Sequence, residues 1–153
     1  MAKNSHAHLV LDTSCIVALL CTWHERHDVT LRAVETRLDR GERLVVAAHA
    51  LVESYAVLTR LPAPQRLAPE DARHLLMASF RSTARVVTLD AKQHWELIAA
   101  APEAGVRGGR TYDALIAASA AAVGHATLLT LNRPDFESFE SAQLSVVDPS
   151  DGA

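Results

Sequence analysis

The sequence has few of the features that define several common classes of protein. Its longest apolar stretches, such as residues 115–123, are shorter than the ~20 residues that a helix needs to cross a bilayer. The first residues also lack the apolar centre of a signal peptide. We therefore expect a cytoplasmic protein without a membrane segment.

Cysteine and glycine are scarce as well. The two cysteines, Cys15 and Cys21, are six residues apart on one predicted helical stretch, so they point to different faces and we expect reduced thiols. The one glycine-rich stretch, residues 102–110, precedes a predicted helix and does not follow a strand, which excludes a dinucleotide-binding fingerprint. Cys21, His24 and His27 have no second ligand group further along the chain, so a zinc site is not predicted.

The composition favours one compact α/β domain. The chain has 153 residues, of which 49% are hydrophobic, so we expect a single domain over residues 1–153 with its core at about 9–147. The net charge of -3 at first argues against a nucleic-acid partner. However, the rest of the chain carries about +1 once four candidate metal-binding carboxylates are set aside. Nearly all of its positive charge is arginine, which binds phosphate bidentately.

Short apolar runs alternate with helical patterns along the whole chain. The runs predict strands that are covered on both faces, as parallel strands are. The predicted strands are Leu9–Asp12, Leu44–Ala47, Ala84–Leu89, Ala126–Thr130 and Leu144–Val147. The predicted helices are Ser14–Leu20, Val29–Arg40, His49–Arg60, Pro69–Arg81, Ala91–Ala101 and Thr111–Val123, with Asp90 and Thr111 expected to cap two of them. This alternation predicts a three-layer α/β/α sandwich with a central parallel sheet of about five strands.

Four acidic residues occupy positions that suit a catalytic site. Asp12 ends the first strand, Asp135 follows the fourth, and Asp113 lies in the first turn of its helix. Glu53 is a lone charge in the middle of an apolar helix, where it needs a partner. Each Asp alone has an ordinary interpretation as a helix cap, a first-turn acid or a solvated loop residue. Because sites in α/β sheets lie at the carboxyl ends of the strands, their convergence there favours chemistry.

Oxygen ligands without cysteine select Mg²⁺, with Mn²⁺ as a substitute, over zinc. Such an ion can activate a water for in-line attack on a phosphodiester and neutralise charge on the phosphoryl oxygens. The number of metal ions stays open. This chemistry does not use the 2′-OH, so we expect products with a 5′-phosphate and a 3′-OH.

The order of these residues resembles that of PIN-domain nucleases, and the short chain resembles the VapC-type toxins of bacterial toxin-antitoxin pairs. The resemblance spans about residues 9–147. It is carried by LDTS around Asp12, HALVESYAVLTRLP around Glu53, TYDALIAASA around Asp113, and TLNRPDF at residues 130–136.

The resemblance implies the fold, the site and the partners of the protein. It implies a sheet order of 3-2-1-4-5, with Asp12, Glu53 and Asp113 as metal-binding positions and either Asn132 or Asp135 as a fourth. Ser14 and Thr130 match hydroxyl-bearing positions near the site, and Asp90 falls at a sheet edge outside it. The implied substrate is structured RNA of the tRNA or rRNA class. The implied partners are a small antitoxin and a second copy of the chain in a homodimer.

The sequence leaves open the roles of three arginines and several alternative functions. Arg107, Arg110 and Arg133 flank the acidic positions and either hold RNA phosphates or are merely solvated. A metal-independent ribonuclease could use the eight histidines, and a PIN-like binding module could have lost catalysis. A phosphotransferase or receiver domain is disfavoured, because Ser14 stands where a second Asp is needed and no lysine follows a late strand.

Overall fold

Five parallel strands form one sheet with the order β3-β2-β1-β4-β5 in a computed structural model that describes residues 7–151. This order confirms the predicted topology. The strands are β1 (His8–Leu11), β2 (Arg43–Ala47), β3 (Arg85–Val87), β4 (Ala126–Leu129) and β5 (Leu144–Val147).

Helices flank the sheet and connect its strands, which makes the predicted three-layer α/β/α sandwich. They are α1 (Thr13–Leu20), α2 (His27–Asp39), α3 (Ala48–Arg60), α4 (Pro69–Phe80), α5 (Ala91–Ala100), α6 (Arg110–Val123) and α7 (Arg133–Phe136). A 3₁₀ turn, Glu137–Phe139, follows α7. Among residues 7–151, none of the helices combines the length and the apolar character needed to cross a membrane.

The centre of the sheet is the centre of the hydrophobic core. Leu9, Val10 and Leu11 of β1 are fully buried although their side chains alternate between the two faces, so both faces of this strand are covered. Val45 and Val46 of the neighbouring β2 are buried in the same way. Cys15 and Cys21 are buried free thiols, as expected.

The third strand differs from its prediction. The sequence predicted a strand over residues 84–89 that is covered on both faces, but β3 has only three residues, and Val86 is 47% exposed. β3 is an edge strand that pairs with β2 alone, so one side of it lacks a neighbour. An apolar run does not tell a central strand from an edge strand, which explains the error.

Most of the predicted helix ends are confirmed, and one cap is wrong. Asp90 caps α5, Pro69 begins α4, and Gly124 ends α6 with a positive φ of 78° that suits glycine. Thr111, in contrast, lies inside α6, because the helix begins at Arg110 after Gly109. The short helix α7 lies in a segment for which the sequence predicted no helix.

Replacement of Asp90 by alanine is expected to lower the free energy of unfolding by about 1 kcal/mol. The Asp90 carboxylate accepts a hydrogen bond from the backbone N–H of Gln93 at 2.8 Å, and the Gln93 side chain accepts one from the Asp90 N–H at 2.8 Å. The substitution breaks this capping box. Urea unfolding followed by circular dichroism measures the change, and an unaltered midpoint would show that the box contributes nothing.

Candidate active site

Asp12 lies directly after β1, at the carboxyl end of the sheet, and caps the first turn of α1. Its Oδ1 accepts hydrogen bonds from the Cys15 backbone N–H at 2.9 Å and from the Ser14 hydroxyl at 2.7 Å. Its Oδ2 accepts a hydrogen bond from the Thr130 hydroxyl at 2.6 Å. Three donors therefore fix the orientation of this carboxylate.

The two hydroxyls also join the ends of the neighbouring strands β1 and β4. The Ser14 Oγ accepts a hydrogen bond from the Leu131 N–H at 3.0 Å, and the Thr130 Oγ1 accepts one from the Asn132 N–H at 3.0 Å. The segment after β4 is thus held against the beginning of α1. Ser14 and Thr130 reach the candidate site as expected and act there by orienting Asp12.

Asp12 is only 2% exposed, and its burial raises the pKa of the carboxyl group, while the three hydrogen bonds oppose this rise. Burial without an opposite charge disfavours the ionised form. A cation beside Asp12 would remove that penalty. The carboxylate of Asp12 is thus oriented for a positively charged ligand, because the groups that hydrogen-bond to it are all uncharged.

Asp113 connects the four acidic residues electrostatically. Partial burial is the largest cause that raises its pKa to about 6, followed by the negative charges of Asp135, Glu53 and Asp12, while Arg110 lowers it. Each of the other three acids therefore lies within Coulombic range of Asp113. The pKa of Asp113, on α6, thus responds to charges on α3, on α7 and at the end of β1.

Glu53 is oriented by an aromatic pair. Its Oε2 lies 2.9 Å from Nε2 of His49, one helical turn earlier on α3. The imidazole of His49 in turn stacks on the ring of Tyr112, with centroids 5.0 Å apart and planes inclined by 6°. Tyr112 immediately precedes Asp113, so this contact ties α3 to the beginning of α6.

A cavity of about 600 Å³ opens at the carboxyl ends of β1 and β4. Asp12, Ser14, Glu53, Asp113 and Asn132 line one part of it. The buried Thr130 is not part of the lining and acts through Asp12. The exposed Asp135 is not part of the lining either, so its contact with the site is electrostatic in this structure.

The donor chemistry of the cavity fits a hard divalent cation. Within the described part of the chain, no three His, Cys, Asp or Glu side chains are close enough to bind one ion together. A metal held here would therefore take few ligands directly from the protein and complete its shell with water, which is the usual behaviour of Mg²⁺. The like charges around Asp113 supply the attraction for the ion.

The three arginines differ in their surroundings. Arg110 donates to the backbone carbonyl of Asp135 at 3.1 Å and to the Ser138 hydroxyl, and its guanidinium lies 4.9 Å from the ring centroid of Phe139. These contacts of Arg110 hold α7 and the 3₁₀ turn against the start of α6. Arg133 is 3.7 Å from Asp151, and Arg107 is exposed. Their contact with RNA phosphate stays a prediction.

Sequence reasoning missed the far part of the cavity. Asp12 precedes α1 and Glu53 lies in the middle of α3, whereas the lining residues of this far part follow the carboxyl ends of the same two helices. They are Trp23, His24, Pro62 and Gln65. They come from the turn between α1 and α2 and from the segment after α3, which lie far apart in sequence. A tryptophan in the polar turn TWHER was the one available signal, because such a side chain has no local reason to be there.

Comparison with known proteins defines the class of this fold and site. A family model described as the PIN domain matches residues 9–139. The match covers most of the chain and all four acidic positions. The chain belongs to the PIN-domain family.

The relatives place it near particular members of that family. It is 44% identical to Ribonuclease VapC40 of Mycobacterium tuberculosis over 135 residues, which are 88% of this chain and 94% of that protein. It is 34% identical to Ribonuclease VapC27 of the same organism over 139 residues, covering 91% and 95% of the two chains. The fold also matches a chain in the crystal structure of VapBC2 from Rickettsia felis bound to a DNA fragment from their promoter, with a TM-score of 0.64, 22% identity and coverage of 92% and 97%.

Proposed function

We propose that the protein is a divalent-metal-dependent endoribonuclease and the toxin of a toxin-antitoxin pair. The observation that carries the proposal is that Asp12, Glu53 and Asp113 line one cavity, with Asp135 near enough for its charge to act on Asp113. Similarity to VapC40 and VapC27, which are named as ribonucleases, supports the choice of RNA as substrate. The chain works as one PIN-like nuclease unit in the cytoplasm.

The four carboxylates have distinct parts in this proposal. Asp12 and Asp113 would hold Mg²⁺ or Mn²⁺, with Glu53 and Asp135 contacting the ion or its water. When bound, the ion lowers the pKa of a water and neutralises charge on the phosphoryl oxygens. Ser14 and Thr130 keep Asp12 in one orientation, and His49 does the same for Glu53. Without a cation, the acidic part of the cavity repels phosphate.

The partners of the protein follow from the same proposal. The substrate is a structured RNA of the tRNA or rRNA class, whose cleavage would inhibit translation. Arg107 and Arg133 are placed to contact phosphates flanking the cut, and Arg110 would do so in addition to its contacts with α7. The cognate partner is a small antitoxin, and the active form is a homodimer. The fold likeness to the VapBC2 chain supports the search for an antitoxin.

Cleavage of RNA by the purified protein is expected to need Mg²⁺ or Mn²⁺ and to stop completely in EDTA. The reason is that the acids alone leave the cavity negative, so that nothing neutralises the charge on the phosphoryl oxygens or lowers the pKa of the attacking water. Sequencing of the product ends should find a 5′-phosphate and a 3′-OH. Cleavage that persists in EDTA and leaves a 2′,3′-cyclic phosphate would instead establish a histidine-based ribonuclease. Binding of RNA or antitoxin without any cleavage would establish a module that has lost catalysis.

A further inference from the structure

We propose that the part of the cavity lined by Trp23, His24 and Gln65 is a subsite for an unpaired nucleobase of the RNA, next to the phosphate that is cut. This inference deepens the proposed function, on which it rests. It assigns to these residues a role in binding the nucleotide, separate from the chemistry of the carboxylates.

The first argument is the size and division of the cavity. Its volume of about 600 Å³ is in the range of pockets that bind small organic ligands, far more than one hydrated ion needs. Its three carboxylates lie just before α1, in the first turn of α6 and in the middle of α3, whereas the uncharged Val57 and Leu61 follow one and two turns further along α3. A nucleotide has the same division, because it joins a charged phosphate, which a cation can bridge to the carboxylates, to a neutral flat base.

The second argument is the state of Trp23. Trp23 is 50% exposed and lines the cavity, so an apolar ring is left partly in water at the cavity wall. The adjacent imidazole of His24 is tilted by 39° at a centroid distance of 5.9 Å, so it does not cover the indole by parallel stacking. A base that stacks on Trp23 would bury this surface, and such stacking tolerates any base sequence.

The third argument is the presence of hydrogen-bonding groups, from His24 and Gln65, in the same lining as the indole of Trp23. The Nδ1 of His24 accepts a hydrogen bond from the Arg26 backbone N–H at 3.0 Å. In the neutral ring the proton is therefore on Nε2, which is left as a donor. The exposed Gln65 amide supplies both a donor and an acceptor. These groups match the carbonyl, ring nitrogen and amino groups at the edge of a base.

Fluorescence tests the subsite without requiring cleavage. The chain has two tryptophans, so Trp95→Phe leaves Trp23 as the reporter, and Trp23→Phe leaves Trp95, which is 72% exposed on α5, away from the cavity. With Asp12 intact and Mg²⁺ present, rapid mixing with a single-stranded oligoribonucleotide should quench Trp23 before cleavage products appear and leave Trp95 unchanged. Ribose 5-phosphate, which lacks a base, should quench neither.

Kinetics test the same subsite in the active enzyme. Trp23→Ala should lower kcat/KM for single-stranded RNA by about 5- to 150-fold, because one base-aromatic stack is lost. The loss should lie mainly in KM, as for binding that is equal in the ground and transition states. Trp23→Phe should recover most of it, and Trp95→Ala should match the wild type. Thermal melting of each variant controls for folding.

Failure of this inference is distinguishable from failure of the proposed function. If the wild type cleaves RNA but Trp23→Ala retains the wild-type KM and oligoribonucleotide does not quench Trp23, the subsite is wrong and the nuclease stands. If the wild type does not cleave RNA yet oligoribonucleotide quenches Trp23, the base subsite stands and the nuclease is wrong. Quenching by a peptide of the antitoxin but not by RNA overturns the subsite.

Discussion

Replacement of Asp12 by asparagine is expected to lower kcat for RNA cleavage by about 10³-fold or more while the protein stays folded. The amide has the size of the carboxylate but cannot carry its charge, so the cation loses its most firmly oriented ligand. The charge stabilisation that a metal supplies is worth several kcal/mol, and each 1.4 kcal/mol is a factor of ten in rate. Single-turnover cleavage at saturating Mg²⁺ measures the effect.

Asp90 provides a matched control for this substitution. Both aspartates follow a strand and cap the next helix through a backbone N–H three residues on, at 2.9 Å for Asp12 and 2.8 Å for Asp90. Only Asp12 lies in the cavity. Asp90→Ala should therefore cost stability and leave cleavage intact. Equal loss of activity in the two variants would show that Asp12 acts through its helix cap and not through a metal.

Replacement of Asp113 by asparagine is expected to abolish cleavage and, unlike most substitutions, to stabilise the protein near neutral pH. Its pKa of about 6 in the folded state is above the ordinary value of 3.8. The folded state therefore binds more protons than the unfolded state between these values, so this group makes stability fall as the pH rises from about 4 through about 6. The ionised carboxylate is destabilising at pH 8, and asparagine removes both the cost of burying its charge and the repulsion by the other acids.

Thermal melting without metal at pH 5 and pH 8 tests the direction of this change in stability with pH. The gain in Tm for Asp113→Asn should be larger at pH 8 than at pH 5, where Asp113 is largely protonated already. In the wild type, cleavage should fall as the pH falls towards 6, and higher Mg²⁺ should move the midpoint to lower pH, because cation and proton compete for the same oxygens. A variant that melts below the wild type at pH 8 would contradict the proposed repulsion.

The central strands of the fold could be predicted, because burial on both faces of the sheet requires apolar side chains at successive positions. Uninterrupted apolar runs such as LVL at residues 9–11 occur because β1 has neighbours on both sides and helices over both faces. The order of the sheet came from resemblance to a family. The short β3 and the helix α7 were not predictable in the same way, because their limits depend on contacts with distant segments such as β2 and Arg110.

The acidic positions could be predicted because strand ends and helix starts are visible in sequence. What could not be predicted is which hydroxyl touches which oxygen, since Thr130 and Asp12 are 118 residues apart. The same holds for the cavity wall at Trp23 and Gln65, which belongs to two turns that carry no shared motif. Resemblance named Ser14 and Thr130 as site positions without telling how they act.

The pairing of β1 with both β2 and β4 has a consequence for how the protein is made. Asp12 leaves the ribosome 118 residues before Thr130, the residue that orients it. Until the segment after β4 has emerged, β1 lacks one neighbour and the carboxylate lacks a donor. A nascent chain therefore cannot assemble the site from its first strand alone, and the carboxylate of Asp12 stays without its full set of donors until the segment after β4 has been synthesised.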